Sequence, residues 1–166
     1  MSSQDKNLSD LDYSSIGPCS ELKIAIVTSE WNKEVTSRLF SGAKMALEKL
    51  GVLEKNIKCL SVPGSFELPM GAQMFIEESD PLPHAVICLG CVIRGETSHF
   101  DFVCNSVSQG IRDVGLKYNI PVIFGVLTDN NKEQSLARSG GTLGNKGEEA
   151  GVTAVKMALL QRHLRT

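Results

Sequence analysis

The stretch AVICLGCVIRGETSHFDF, residues 85–102, is the most informative segment of the chain. It begins with an apolar run, residues 85–89, that is typical of a strand buried on both faces of a sheet. Gly90 and Gly95 bracket a predicted turn, and His99 then opens an amphipathic helix. Glycines let backbone N–H groups approach a ligand closely, and the first turn of a helix leaves N–H groups free. The stretch therefore predicts a strand, an anion-binding turn and a helix, with an imidazole at the edge that can move a proton near neutral pH.

Strands and helices alternate along the rest of the chain. Apolar runs predict strands at residues 22–28, 57–62, 84–89 and 121–127. Helical periodicity predicts helices at about 33–50, 66–78, 99–118, 133–138 and 146–163, with a loop at 139–145. This alternation predicts an α/β fold, specifically a three-layer α/β/α sandwich with a four-stranded parallel sheet.

The unusual segments all follow predicted strands: residues 29–32, 63–67, 90–99 and the segment from 128 onward. Ligands of parallel sheets bind outside the carboxyl ends of the strands, so we expect these four loops to converge on one rim. Trp31 and Phe66 are placed there to hold a flat heterocycle between them. Arg138 and Lys146 flank the loop at 139–145, and an arginine near an anion-binding turn favours phosphate, which its planar guanidinium can bind.

Composition narrows the classes of function. A chain of 166 residues suffices for one full core, so we expect a single domain, over residues 21–166. The first twenty residues are polar, and we expect a flexible arm over residues 1–20. A net charge of −2, without a Lys/Arg block, argues against nucleic acid and membrane surfaces as partners. No apolar run approaches the roughly 20 residues of a membrane helix. The polar start of the chain does not look like a signal peptide, so a cytoplasmic location is expected.

The five cysteines favour reduced, mostly buried thiols over disulfides or a metal site. Cys88 and Cys91 are spaced like a metal-binding pair, but residues three apart in a strand point to opposite faces. No second pair accompanies them. We therefore expect no metal.

His99 has two interpretations. It is either an acid/base beside the anion site or a helix-terminal residue without chemistry, since Ser98 and Asp101 fit a capping box. The helix N-terminus favours the neutral imidazole, whereas Asp101 opposes that effect. His84 and His163 are expected to be structural.

Five separate blocks carry a resemblance to a known family: Trp31-Asn32, residues 62–69 (VPGSFELP), residues 90–102, residues 121–128 (PVIFGVLT), and Arg138 with residues 144–147 (GNKG). In order and spacing, from about Leu22 to the C-terminus, the chain resembles the lumazine synthases. The resemblance implies a flavodoxin-like fold and the condensation of 5-amino-6-(D-ribitylamino)uracil with 3,4-dihydroxy-2-butanone 4-phosphate. The products are 6,7-dimethyl-8-ribityllumazine, phosphate and water, in the penultimate step of riboflavin biosynthesis. It implies no metal or organic cofactor.

The resemblance also assigns roles by position. Residues on or beside the ribitylaminouracil are Trp31, Ser65, Phe66, Glu67, Cys91, Val92, Ile93 and Phe124. Residues near the phosphate of the butanone are Glu96, Thr97, Arg138 and Lys146. His99 matches the proton-transfer residue, and Phe124, Arg138 and Lys146 match residues that a neighbouring subunit contributes. Phenylalanine is usual in the family where Trp31 stands, and the larger indole face predicts tighter binding of product or riboflavin.

Family members are homopentamers, and many assemble into a hollow icosahedral shell of 60 subunits. The segment 138–146 has no insertion and resembles the shell-forming kind. Riboflavin synthase is a further partner that the resemblance suggests.

Two other functions remain open: a flavin-binding storage shell without catalysis, and a flavodoxin-like electron carrier or signalling domain. His99 and Arg138 argue against the first, and segment 29–32 offers no clear phosphate loop or acidic pocket for the second. The Walker pattern and the Gly-x-Gly-x-x-Gly pattern after the first strand are both missing, which argues against ATP, GTP and NAD as ligands.

Overall fold

A computed structural model describes residues 16–165 and shows one parallel sheet between two layers of helices. The strands are β1 (Ile24–Ser29), β2 (Ile57–Val62), β3 (Ala85–Ile93) and β4 (Val122–Asp129), in the order β2-β1-β3-β4. The helices are α1 (Lys33–Lys49), α2 (Leu68–Glu77), α3 (His99–Tyr118), α4 (Lys132–Arg138) and α5 (Lys146–Arg165). The predicted flavodoxin-like sandwich with four parallel strands is confirmed.

The sheet is buried on both faces because each face is covered by helices with apolar stripes. One cluster joins the sheet to α1 and α5 and includes Leu39, Ile87 and Cys91. The other joins it to α2 and α3 and includes Ile111 and Cys88. The two cysteines thus lie on opposite faces of β3, as the period of two along a strand predicted.

The central strand β3 is longer than predicted. It continues to Ile93, so Gly90 lies inside the strand, opposite Val126 of β4, and the turn before α3 begins only at Arg94. A Cβ atom on Gly90 would lie 2.6 Å from Ser65 Oγ and 2.9 Å from Leu68 Cδ1. Glycine is therefore needed here because β3 lies close to the segment after β2, and not because the chain turns.

Two other segments differ from the sequence prediction. Residues 65–67 form a single 3-10 turn ahead of α2, so the α-helix starts two residues later than expected. The predicted loop at 139–145 contains a short antiparallel hairpin, β5 (Ser139–Gly141) and β6 (Gly144–Asn145). The Asn145 amide donates to the Arg38 carbonyl at 3.0 Å, which fastens this hairpin to α1.

Most of the predicted N-terminal arm, residues 1–15, lies outside the described residues. Its last part contacts the domain: Cys19 is buried, and the Ser20 carbonyl accepts a hydrogen bond of 2.7 Å from the Asn56 amide. Within residues 16–165, no helix is long and apolar enough to cross a membrane.

Candidate active site

A cleft of about 320 Å³ opens at the carboxyl ends of β1, β2 and β3. Its walls include two aromatic side chains that are far more exposed than such residues usually are, Trp31 at 72% and Phe66 at 58%. The other lining residues that the sequence predicted are Ser65, Cys91, Val92, Ile93 and His99. Two exposed aromatic side chains that face one cleft form a site suited to a flat, largely apolar ring.

Backbone hydrogen bonds hold the two aromatic loops together. The Glu30 N–H donates to the Val62 carbonyl at 2.8 Å, and the Trp31 N–H donates to the Pro63 carbonyl at 3.2 Å. These bonds continue the β1–β2 ladder one step beyond the sheet. The positions of Trp31 and Phe66 are thereby set by the sheet, because both loops grow directly from paired strands.

Ser65 and Glu67 lie on the 3-10 turn that follows β2. Ser65 is buried, and its hydroxyl has no hydrogen-bond partner among residues 16–165. A buried hydroxyl without a partner is costly, and a ligand hydroxyl or water in the adjoining cleft would satisfy it. Glu67 is half-buried beside it.

The turn before α3 carries Glu96 and Thr97, both exposed, and His99 at the first position of the helix. The Thr97 hydroxyl accepts a hydrogen bond from the His99 N–H at 3.4 Å. The predicted capping box is wrong, since the Ser98 side chain makes no cap hydrogen bond. The Asp101 carboxylate instead accepts two hydrogen bonds from the Arg94 guanidinium, at 2.9 and 3.3 Å.

The remaining predicted site residues line a second cavity, of about 750 Å³, along β4, α4 and the start of α5. Phe124 is 42% exposed there. The Arg138 Nη1 donates to the Gln134 carbonyl at 3.1 Å, and the Lys146 ammonium pairs with the Glu149 carboxylate at 2.5 Å. This cavity therefore presents an aromatic ring and an arginine anchored at one end.

The two cavities have no lining residue in common. The structure brings Trp31, Ser65, Phe66, residues 91–93 and His99 together in one chain. It does not bring Phe124, Arg138 and Lys146 to them. The predicted site residues that line a cavity thus fall into two groups on a single subunit, one in the cleft and one in the second cavity, and we call these groups the two half-sites. Glu67, Glu96 and Thr97 line neither cavity.

Comparison with known proteins identifies the family of the chain. Residues 21–162 match the family model described as 6,7-dimethyl-8-ribityllumazine synthase. The protein of that name from Parabacteroides distasonis is 52% identical to this chain, over 92% of this chain and 94% of the relative. The one from Cytophaga hutchinsonii is 55% identical, over 95% of this chain and 97% of the relative. A third, from Flavobacterium psychrophilum, is 50% identical over 97% of this chain and 84% of the relative.

The chain belongs to the 6,7-dimethyl-8-ribityllumazine synthase family. The resemblance found in the sequence is therefore confirmed, and the protein is an enzyme of the lumazine synthase family. The matched segment contains both half-sites, from Trp31 to Lys146.

The sequence did not predict two residues of the candidate site. Asn32 lines the cleft with a backbone φ of 57° and donates through Nδ2 to the Cys91 carbonyl at 3.0 Å. The tolerance of asparagine for positive φ was the available signal. The second residue is Asp129, which is buried at the end of β4 beside Arg138. Nothing in an apolar strand pattern marked that carboxylate.

Proposed function

We propose that this chain condenses 5-amino-6-(D-ribitylamino)uracil with 3,4-dihydroxy-2-butanone 4-phosphate to give 6,7-dimethyl-8-ribityllumazine. The observation that carries the proposal is the cleft walled by Trp31 and Phe66, with His99 at its rim, in a chain of this family. The cleft suits a flat heterocycle, and an imidazole lies where a proton must be moved.

The aminouracil is held by stacking and by edge contacts. Its ring lies against Trp31 and Phe66, while the strand end at residues 91–93 runs along the pyrimidine edge. The ribityl chain carries hydroxyls, and the unpartnered Ser65 hydroxyl and the Glu67 carboxylate are suited to bind them.

The chemistry consists of proton transfers and two dehydrations. The aromatic amine attacks the ketone and loses one water to form an imine. Phosphate then leaves by β-elimination, and the resulting enol tautomerises to a new carbonyl. The ribitylamino nitrogen attacks that carbonyl and closes the ring with loss of another water. His99 can take up and return protons in these steps because a neutral imidazole has one nitrogen that accepts a proton and one N–H that donates it. Holding two reactants in one cleft supplies much of the remaining acceleration.

The phosphate is bound by the exposed turn at Glu96 and Thr97, and by Arg138 and Lys146 of the second cavity. A guanidinium binds phosphate oxygens through parallel hydrogen bonds and stabilises the charge that builds up as phosphate leaves. Because the second cavity shares no lining residue with the cleft that contains His99, we infer that Arg138 and Lys146 of a neighbouring copy serve that cleft.

We infer that the neighbouring copy comes from a ring, and the family resemblance implies five subunits. One flank carries a groove of about 500 Å³ between α3, β4 and α5, with exposed Leu116, Phe124, Leu160 and Leu164. Another surface, on α2, exposes Met70 and Met74. Two different apolar surfaces on one subunit favour a head-to-tail contact, and such a contact, when its rotation closes, builds a ring. Phe124 lines both the groove and the second cavity, so a neighbour seated there would complete the site.

The finer assembly is also part of the proposal. The compact hairpin at 139–145, without an insertion, supports the 60-subunit shell. We propose riboflavin synthase as the partner of this protein. We also propose a cytoplasmic location, because five free cysteines suit a reducing compartment.

The deciding experiment mixes the purified protein with both substrates and follows lumazine absorbance and phosphate release together. Equal amounts of both products, formed above the uncatalysed rate, support the synthase. If assembled protein forms neither product but binds riboflavin, the flavin-storage alternative is favoured instead.

A further inference from the structure

A buried polar chain connects the two half-sites inside one subunit. Cys91 lies at the floor of the cleft, and its thiol donates to the Ser135 hydroxyl with an Sγ–Oγ distance of 3.4 Å. The Ser135 hydroxyl in turn donates to Asp129 Oδ2 at 2.8 Å. Asp129 Oδ1 lies 3.7 Å from Arg138 Nη1. Burial raises the pKa of the Cys91 thiol, which keeps it protonated as a donor.

Asp129 is a costly residue to place here. It is 8% exposed, and Ser135 beside it is fully buried. A buried carboxylate is destabilising unless hydrogen bonds and a cation compensate for its charge. Ser135 supplies the hydrogen bond and Arg138 supplies the cation. The guanidinium compensates the negative charge of the carboxylate, and the carboxylate in turn holds the guanidinium at this end of the cavity.

The contacts of Arg138 leave part of its guanidinium available. Both the hydrogen bond to the Gln134 carbonyl and the approach to Asp129 involve Nη1. The Nε and Nη2 donors take part in neither contact. The hydrogen bond to Gln134 and the ion pair with Asp129 together restrict the orientations of the guanidinium. They leave the edge formed by Nε and Nη2 available to a phosphate in the cavity.

We propose that Asp129 and Ser135 are positioning residues that orient Arg138 for the phosphate of the butanone substrate. This inference rests on the proposed function. It adds to the reaction two buried residues that act through Arg138, and it gives the orientation of Arg138 a physical cause.

A carboxylate near a phosphate site can also weaken phosphate binding, either by repelling the phosphate or by taking the hydrogen-bond donors of the arginine. The distances decide between these effects. At 3.7 Å the Asp129–Arg138 contact is too long for a hydrogen bond, so the carboxylate does not occupy the fork. The Ser135 hydroxyl, at 2.8 Å, directs the other carboxylate oxygen into the protein. Asp129 therefore orients Arg138 more than it competes with the phosphate for the guanidinium.

The test is Asp129→Asn, which keeps the shape and the acceptor for Ser135 but removes the charge. We expect the KM for the butanone phosphate to rise by about tenfold, with kcat and the KM for the aminouracil changed by less than about twofold. The inhibition constant of inorganic phosphate should rise in parallel. An unchanged or lower KM for the butanone phosphate overturns the proposal, and so does a fall in kcat alone.

A double-mutant cycle separates positioning from a general structural effect. In the Arg138→Ala background, Asp129→Asn should raise that KM no further, because there is no guanidinium to orient. An equal rise in both backgrounds overturns the proposal.

Ser135→Ala is the second variant, for use if Asp129→Asn does not fold. It removes the hydrogen bond to Asp129 and keeps the charge pair, so we expect a rise of about threefold in the same KM. An unchanged KM in folded Ser135→Ala would overturn the proposal.

Wild-type activity distinguishes failure of this inference from failure of the proposed function. If the unmodified protein forms no lumazine, the proposed function fails, and the positioning role fails with it. If the unmodified protein is active and both variants keep the wild-type KM, only the positioning role fails.

Discussion

The side-chain amide of Asn32 donates a hydrogen bond of 3.0 Å to the backbone carbonyl of Cys91. This contact ties the loop after β1 to the end of β3, across the floor of the cleft. It depends on a backbone φ of 57° at Asn32, in the left-handed region that asparagine tolerates better than most residues. One side chain thus holds the loop that carries Trp31 against the end of β3.

Asn32→Ala should therefore weaken both folding and substrate binding. We expect a loss of about 2 kcal/mol in unfolding free energy, from the lost hydrogen bond and the strained backbone together. Asn32→Gly is the matched control, since glycine tolerates the φ but lacks the amide, and it should lose about half as much. Denaturant unfolding gives the free energies, and steady-state kinetics should show a higher KM for the aminouracil in both variants. Equal stability of the alanine variant and the wild type would contradict this account.

The contact between α1 and α5 sets a sharper stability prediction. A Cβ atom on Gly147 would lie 1.8 Å from the Leu39 carbonyl oxygen, which is backbone and cannot turn away. Gly147→Ala should cost about 3 kcal/mol or more, because one of the two helices must move. Gly95→Ala is the control, since a Cβ there meets nothing within 4 Å. Thermal unfolding of the two variants measures the difference, and equal melting temperatures would show that the helices shift without cost.

The sequence predicted the order of the elements and most of the cleft, because strand periodicity and strand ends are local signals. It misjudged the end of β3, since Gly90 resembled a turn residue. The actual reason for that glycine is the proximity of Ser65, a residue 25 positions earlier in the chain. Only the folded packing reveals such a contact.

The capping box failed for a related reason. Ser98 and Asp101 have the right spacing, but Arg94 binds the carboxylate. An ion pair with an arginine outcompetes a single hydrogen bond to the helix end, and sequence spacing does not rank the two. The Asp129–Ser135 contact escaped prediction because it joins a strand end to the helix that follows it through buried polar atoms.

Trp31→Phe should weaken the binding of riboflavin. An indole offers a larger stacking face than a phenyl ring, and at 72% exposure Trp31 is free to stack on a ligand. We expect the dissociation constant to rise by about threefold to tenfold, measured by quenching of riboflavin fluorescence. Phe66→Leu, which alters the opposite wall, tests whether both aromatics contribute. Unchanged affinity in Trp31→Phe would exclude the indole as a determinant.

His99→Ala should slow turnover without abolishing it. General acid–base catalysis by one group is replaceable in part by water, whereas the orientation of the two substrates remains. We expect kcat to fall by about 10- to 100-fold when both substrates are saturating. Sedimentation confirms that the variant is assembled. Complete loss of activity in assembled protein would show that orientation of the two substrates alone contributes little to the rate.

Mixed assemblies test the shared site directly. His99→Ala and Arg138→Ala each damage a different half-site, because these residues line separate cavities of one chain. If a site combines the cleft of one subunit with Arg138 of the next, a ring from an equal mixture contains intact sites at about a quarter of its interfaces. Activity at low butanone phosphate should therefore exceed that of either variant alone after joint unfolding and reassembly. The two variants reassembled separately and then mixed are the control, since they form no intact interface. If joint reassembly gives no more activity than this control, each site is contained within one chain and the ring is not needed for catalysis.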